Sequence, residues 1–150
     1  MKIIFLDVDG VLNSAKFAQK MFKEEGVRIY AEDILDGHAL SLLADIVKNT
    51  GAKIVVSSSW RRIPEATQNL KDWLAKYGME VYDSTPSTGM YRGDDITAWF
   101  KRHPGEYQYA ILDDDSDMTI HKSHLIRTEF YTGLTRELAD RCIELLNAPL

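Results

Sequence analysis

The 150-residue sequence predicts an α/β fold in which a Rossmann-like parallel sheet carries helices on both faces, giving three layers. The first observation is a set of short apolar runs without polar alternation, which is typical of strands buried on both faces. The second is that segments with helical spacing of apolar residues separate these runs. Because parallel strands need such crossovers, the alternation favours one doubly covered sheet in a single domain, 1–150.

The N-terminal elements follow from the positions of apolar residues and glycines. Residues 2–6, KIIFL, favour a short buried strand, and Gly10 indicates a sharp turn after it. Residues 14–36 are less regular and suggest a small flap. We expect a short helix that frays at Gly26, followed by an extended piece, GVRIY. The apolar residues on one side of this helix are Phe17, Met21 and Phe22.

The middle of the chain alternates helix and strand. Residues 37–49 show a helical apolar stripe that Gly51 ends. The run AKIVV, 52–56, favours a second buried strand. Pro64 then stands where a helix can begin, and the helical spacing continues until Gly78. This part therefore predicts one complete crossover between parallel strands, followed by the start of the next.

The C-terminal part repeats the pattern with shorter elements. We expect a third strand at 79–82, a turn-rich loop and a short helix around Trp99. The run YQYAIL, 107–112, favours a fourth strand, and 125–131 a last short one. The tail from Thr135 shows an amphipathic helix that places Cys142 on its apolar face.

The composition and charge of the chain disfavour several classes of protein. The formal net charge of −5 disfavours general nucleic-acid binding, which usually needs a basic surface. The single cysteine, Cys142, excludes an intrachain disulfide and suggests a reducing, cytoplasmic compartment. The first apolar run ends at Asp7, too early for a signal-peptide core or a membrane span, so we expect no membrane association.

Polar residues directly follow three of the predicted strands. Asp7 and Asp9 follow the first, Ser57–Ser59 the second and Asp113–Asp115 the fourth. The carboxyl ends of parallel strands meet at one edge of an open sheet, where such sheets bind ligands. Three stretches of chain are therefore expected to deliver polar groups to one site.

The acids in this set suggest a metal site. Asp7, Asp9 and at least one of Asp113, Asp114 and Asp117 would share a small volume and repel each other. Mg²⁺ prefers such an oxygen-only set, and no Cys/His spacing indicates zinc. An isolated acidic run is usually only a solvated loop, but acids at two strand ends favour the ion.

The same residue types suit phosphoryl transfer. A carboxylate can attack phosphorus and form an aspartyl-phosphate, while Mg²⁺ neutralises the phosphoryl oxygens. A second acid two residues later can protonate the leaving oxygen and then activate water. Serine hydroxyls can bind a phosphoryl oxygen, and one cationic side chain is still needed.

The segment DVDGVLN resembles the first motif of the haloacid dehalogenase (HAD) superfamily, whose members are mainly Mg²⁺-dependent phosphohydrolases. The resemblance implies that Asp7 is the nucleophile and Asp9 the general acid/base, whose backbone carbonyl also binds the metal. The segment KIVVSSSWR is similar to the second motif, with Ser58 favoured and Ser57 as its rival. Dehalogenases of the superfamily lack the second Asp, so Asp9 favours phosphoryl transfer.

The segment YAILDDDSD resembles the fourth motif and implies Asp113 and Asp114 as metal ligands beside Asp7 and Asp9, with Asp117 as a further candidate. The third motif supplies a cation, for which we favour Arg92 in YRGDDITAWF. The alternatives are Lys101, Lys122 and Arg61. The residues expected to bind substrate are Gly10, Ser57, Ser58 and Arg61.

The segments SSSWR, RGDDI and TGLT also resemble small phage and bacterial HAD proteins, including HAD domains attached to RNA-repair proteins. Neither gap between motifs holds an independent cap domain, which implies an open site for a bulky phosphate such as a nucleotide or a nucleic-acid end. We therefore expect a Mg²⁺-dependent phosphatase with a phosphorylated substrate. The alternatives are a receiver-like phospho-Asp signalling domain and a catalytically idle HAD fold that binds a partner.

Overall fold

A computed structural model describes residues 1–26 and 34–150. Most of the extended piece predicted at 26–30 lies outside these residues. The described strands form one sheet in the order β3-β2-β1-β4-β5, and every neighbouring pair is parallel. The strands are β1 (Lys2–Leu6), β2 (Lys53–Val56), β3 (Val81–Ser84), β4 (Gln108–Asp113) and β5 (Leu125–Arg127). The predicted parallel sheet is confirmed.

Helices occupy the predicted segments between the strands. They are α1 (Ala15–Glu25), α2 (Gly37–Thr50), α3 (Pro64–Ala75), α4 (Arg92–Arg102) and α5 (Arg136–Asn147). The side chains of Ser14, Asp36 and Thr135 accept backbone N–H bonds at the starts of α1, α2 and α5. Short 3₁₀ turns at Ser59–Arg62 and Thr119–His124 complete the described connections.

The two faces of the sheet are packed by different side chains. On one face, aliphatic residues of the strands pack against α2, α3 and α5, and this layer includes the buried Cys142. On the other face, Phe5 makes edge-to-face contacts with Trp99, Phe100 and Tyr109, at ring-centroid distances of 5.4 to 5.9 Å. Helices on both faces confirm the three-layer architecture, and the described residues contain no separate cap domain.

The third strand begins later than the sequence predicts. We expect a strand at 79–82, but the backbone N–H of Met79 still bonds to the carbonyl of Leu74 at 3.0 Å. Gly78 has a positive φ of 74°, which lets the chain turn back over the end of α3 and bury Met79 in the aliphatic layer. Strand pairing can therefore start only at Val81.

The last strand is shorter than predicted. Of the expected segment 125–131, only Leu125–Arg127 pairs along β4. The chain then turns, with the N–H of Gly133 bonded to the carbonyl of Glu129 at 2.8 Å. None of the described helices combines the length and apolar character that crossing a bilayer requires.

Candidate active site

The sheet places three predicted site residues side by side. The chain leaves β1 toward β2 and β3 on one side and returns to β4 on the other, so ligands are expected beyond β1 and β4. The N–H of Asp7 bonds to Leu112 in β4 at 2.9 Å, and the N–H of Ser57 bonds to Leu6 in β1 at 2.9 Å. This register sets Asp7 between Ser57 on one side and Asp113 on the other.

Three acids meet at this edge. One carboxylate oxygen from each of Asp7, Asp113 and Asp114 lies within 4.8 Å of the other two. Asp7 and Asp113 are buried and Asp114 is partly buried. An oxygen-only set of this size and charge matches the ligands that Mg²⁺ takes in proteins. We call these three residues the acid cluster.

The acid cluster is electrostatically unbalanced. Burial, and then the neighbouring charge of Asp113, raise the pKa of Asp7 to about 8, although Arg92 opposes the shift. Burial also raises the pKa of Asp113, again against the effect of Arg92. Among the described residues, Asp7 Oδ1 makes no hydrogen bond of acceptable geometry. A buried carboxylate oxygen whose hydrogen-bonding capacity is not filled by protein donors is expected where a ligand or an ion binds.

Arg92 is the cation at the acid cluster. Its Nη1 donates a hydrogen bond to Asp113 Oδ2 at 2.7 Å and lies 2.7 Å from Asp7 Oδ1 as an ion pair. Burial lowers the pKa of Arg92, but the two carboxylates outweigh it and raise the pKa above its usual range. The alternatives Lys101 and Lys122 have exposed side chains. The structure thus brings the favoured third-motif residue to the predicted place.

Gly93 explains why Arg92 can reach the acids, and sequence reasoning missed it. A Cβ at Gly93 would lie 2.3 Å from the carbonyl oxygen of Met118. The first turn of α4 therefore packs directly against the backbone that follows the acid-bearing loop. The signal was present as a glycine next to Arg92, but its packing partner lies too far along the chain to identify from spacing.

Gly10 supports the acid cluster in a comparable way. It has a positive φ of 79°, and a Cβ there would lie 2.5 Å from Asp114 Oδ2. Its N–H bonds to the carbonyl of Asn13 at 2.9 Å, and its carbonyl accepts from Thr128 Oγ1 at 2.7 Å. The geometry gives Gly10 a role in positioning Asp114. The predicted contact between Gly10 and substrate stays a prediction.

Asp9 lies outside the acid cluster. Its Oδ1 accepts a hydrogen bond from Asn13 Nδ2 at 3.1 Å and its Oδ2 accepts from Trp60 Nε1 at 3.2 Å. Both carboxylate oxygens are thus held by protein donors, away from the three clustered acids. The prediction of Asp9 as a metal ligand is therefore compatible only with its backbone carbonyl, the contact that the family resemblance implies.

The two candidate serines differ in what their hydroxyls do. Ser58 Oγ accepts the backbone N–H of Trp60 at 3.2 Å, as the cap of the 3₁₀ turn. Ser57 Oγ is buried and, within the described residues, has no hydrogen-bond partner. Ser57 is also the residue in register with Asp7. The geometry favours Ser57 over the preferred Ser58 as the hydroxyl available to a ligand.

Arg61 has a structural position that its sequence context did not reveal. It lies under the site rather than at its surface, with its side chain only 5% exposed and its Nη2 2.9 Å from Asp95 Oδ2. Its Nη1 donates to the carbonyls of Ser57 and Ser58, and its Nε to that of Thr85. All three guanidinium nitrogens thus bond to protein acceptors, so the expected roles of Arg61 as a phosphate ligand or third-motif cation lack geometric support.

Comparison with known proteins gives one match. A family model described as "HAD domain in Swiss Army Knife RNA repair proteins" matches residues 3–139, which covers most of the chain and all of the acid cluster. Searches of curated proteins and of solved structures returned no match.

Proposed function

The chain belongs to the family of HAD domains found in Swiss Army Knife RNA repair proteins, and on that premise we propose that it is a Mg²⁺-dependent phosphatase that works through an aspartyl-phosphate. Membership confirms the superfamily that the motifs predicted, and it implies phosphohydrolase-type activity. The observation that carries the finer proposal is the acid cluster, in which a buried Asp7 oxygen without a hydrogen-bond partner faces two further acids and Arg92.

The acid cluster fits a magnesium ion. Asp7, Asp113 and Asp114 supply oxygen ligands only, and the pKa of Asp7 is raised first by burial and then by the charge of Asp113, an effect that a bound cation would oppose. Bound Mg²⁺ would neutralise charge on the phosphoryl oxygens. The described residues thus offer a cofactor site without the Cys or His ligands that zinc prefers.

In the proposed first step, an oxygen of Asp7 attacks phosphorus, the ester bond breaks and Asp9 gives its proton to the leaving oxygen. Asp9 suits this role because Asn13 and Trp60 hold its carboxyl away from the metal ligands. Arg92 orients Asp7 and contributes positive charge, while the Ser57 hydroxyl donates to a phosphoryl oxygen.

In the proposed second step, Asp9 takes a proton from water, which attacks the phosphorus of the aspartyl-phosphate. The bond from phosphorus to Asp7 breaks, and inorganic phosphate leaves with Asp7 again a carboxylate and Asp9 again protonated. The substrate that we propose is an exposed phosphate such as a nucleotide or a nucleic-acid end. The RNA-repair context of the family supports it, as does the lack of a cap among the described residues.

The test is phosphate release from an aryl phosphate with and without Mg²⁺, comparing the wild type with Asp7→Asn. We expect Asp7→Asn to lower kcat on the order of 10³-fold or more, because the nucleophile is lost. Asp72→Asn, an exposed acid on α3, is the matched control and should keep full activity. Full activity of Asp7→Asn would overturn the assigned nucleophile. A wild type inactive on all phosphates would favour the idle HAD fold.

The same assay, extended to nucleotides, sugar phosphates, phosphopeptides and oligonucleotides with 3′ or 5′ phosphates, defines the substrate. We expect the highest kcat/KM for an oligonucleotide end, because an uncapped site admits a large substrate. A higher kcat/KM for a sugar phosphate would contradict the proposed substrate class and leave the phosphatase mechanism in place.

A further inference from the structure

A groove opens beside the acid cluster, next to Arg92. Its volume is about 450 Å³, within the range of small-molecule sites, and its main lining residues are Ser59, Arg62, Met90, Tyr91, Arg92 and Asp115. We call it the Tyr91 groove. Because Arg92 lines this groove and also pairs with Asp7 and Asp113 of the acid cluster, a substrate whose phosphate reaches Asp7 can place its adjacent group here.

The charges in the Tyr91 groove are mixed. Arg61 and Asp95 also line it but neutralise each other. The remaining cations are Arg92 and Arg62, and the remaining anions are Asp115 and Asp117. A ligand made only of phosphates would meet two carboxylates. A ligand with one phosphate, a neutral body and N–H or O–H donors matches both the cations and the acceptors.

The groove also contains an exposed aromatic ring, that of Tyr91. Tyr91 is 43% exposed, and Met90 beside it is more exposed still. Among the described residues, the Tyr91 side chain makes no hydrogen bond, ring contact or ion pair. An exposed tyrosine next to a phosphate site offers a flat apolar surface on which a nucleobase can stack.

The rim of the groove is held by a buried ion pair. Asp95 accepts hydrogen bonds from the N–H and the hydroxyl of Thr88, both at 2.7 Å, and pairs with Arg61 at 2.9 Å. Arg61 in turn holds backbone carbonyls at the ends of β2 and β3. A buried pair of this kind adds little net stability, so its effect is to fix the loop that carries Met90 and Tyr91.

We propose that the Tyr91 groove binds the nucleoside next to the scissile phosphate, with its base stacked on Tyr91 and the following backbone phosphate near Arg62. This inference rests on the proposed phosphatase function and identifies the residues that bind the part of the substrate next to the phosphate. Arg62 uses its Nε on Ser87 Oγ at 3.0 Å, and its other guanidinium nitrogens have no acceptor in the described part of the chain. Tyr91 and Arg62 thereby select a nucleic-acid end over a smaller phosphate.

The first experiment measures KM for a terminally phosphorylated oligonucleotide and kcat/KM for glycerol phosphate, which has no ring. Tyr91→Ala should raise the oligonucleotide KM on the order of ten-fold, the loss expected for one stacked base. The kcat/KM for glycerol phosphate should stay within about two-fold of the wild-type value. Tyr91→Phe should keep the wild-type KM. Tyr82→Ala is the matched control, because Tyr82 is 46% exposed but lines a different cavity.

A second arm separates stacking from charge. Arg62→Gln should raise the KM for a phosphorylated dinucleotide several-fold but leave the KM for a mononucleotide unchanged, because only the dinucleotide has the second phosphate. The effect should shrink as salt increases. Equal effects on both substrates would overturn the assignment of Arg62.

Binding without turnover tests the Tyr91 groove independently of activity. In an Asp7→Asn background, an oligonucleotide with 2-aminopurine at its phosphorylated end should lose 2-aminopurine fluorescence on binding. Tyr91→Ala should remove this quenching. Binding without quenching of the 2-aminopurine fluorescence would overturn the proposed role of the Tyr91 groove. An oligonucleotide KM that Tyr91→Ala leaves unchanged would also overturn it. So would a phosphopeptide hydrolysed faster than the oligonucleotide in a Tyr91-dependent way. A wild type that quenches the probe but releases no phosphate overturns the proposed function alone.

Discussion

Two arginine–aspartate pairs lie at the same edge of the sheet, and they differ in how completely they are satisfied. Every guanidinium nitrogen of Arg61 bonds to a protein acceptor, and both oxygens of Asp95 are occupied. Arg92 lies between Asp7 and Asp113, yet within the described residues Asp7 Oδ1 makes no hydrogen bond. We call Arg61–Asp95, in which every polar atom is hydrogen-bonded, the closed pair. We call Arg92–Asp7, in which Asp7 Oδ1 has Arg92 as its ion-pair contact and no hydrogen bond in the described part of the chain, the open pair.

This difference distinguishes a structural ion pair from one at a candidate binding site more clearly than burial does. Asp7, Asp95 and Asp113 are all buried, and each is paired with an arginine. Asp95 has Arg61 to itself, whereas Asp7 and Asp113 share Arg92, and the charge of Asp113 adds to burial in raising the pKa of Asp7. An ion pair that carries surplus negative charge indicates a missing cation, whereas a balanced pair indicates a structural anchor.

The largest expected effect comes from breaking the open pair. Arg92→Gln should lower kcat/KM on the order of 10² to 10³-fold, because the variant removes positive charge from the transferring phosphoryl group. The far-ultraviolet circular dichroism spectrum should stay that of the wild type. Arg92→Lys should recover part of the activity. Arg102→Gln, at the exposed end of the same helix, is the matched control, and a loss of activity there equal to that of Arg92→Gln would contradict the assignment.

Breaking the closed pair should instead cost stability. Asp95→Asn keeps the side-chain shape but leaves the buried charge of Arg61 uncompensated, so we expect the free energy of unfolding to fall by roughly 3 kcal/mol. Urea denaturation measures it. Asp140→Asn breaks the pair between Arg136 and Asp140, whose side chains are 50% and 61% exposed, and should change the free energy of unfolding far less than Asp95→Asn does. Similar losses in both variants would remove the distinction between buried and surface pairs.

The smallest effect is a pH dependence of the open pair. The pKa of Asp7 is raised to about 8 in the fold from its ordinary value near 4, so the folded protein holds a proton that the unfolded chain releases. Without divalent cations, this group should therefore lower the free energy of unfolding as pH rises from about 4 to about 8.

The measurement is urea denaturation in EDTA at pH 5 and pH 8, for wild type and Asp7→Asn. Comparing the two cancels the contributions of carboxylates that do not interact with Asp7. We expect the free energy of unfolding to fall more for the wild type than for the variant over this interval. Identical pH dependence in both proteins would show that Asp7 does not titrate in this range.

Much of the sheet edge could be predicted because strands buried on both faces are continuous apolar runs in the sequence. The runs before Asp7 and Asp113 mark β1 and β4, and parallel pairing alone then brings the two acids together. The order of motifs also placed Arg92 at the start of α4. These inferences need only local patterns and one rule of topology.

The predictions that need revision depend on contacts between distant parts of the chain. The preference for Ser58 over Ser57 turns on a one-residue register, which the apolar run before the serines does not fix. Asp9 is held by Trp60, which lies 51 residues away, and Arg61 is held by Asp95, which lies 34 residues away. Side-chain partners at such separations leave no periodic signal in a single sequence.

The lone thiol in the aliphatic layer has a practical consequence for these experiments. Burial raises the pKa of Cys142 to about 12, so almost none of it is thiolate near neutral pH, and only the thiolate reacts with maleimides. A cysteine introduced at an exposed position, as in Gln19→Cys on α1, would therefore be labelled selectively in the folded protein. A fluorophore or spin label can thus be attached to α1, within the predicted flap segment 14–36, without altering the native interior.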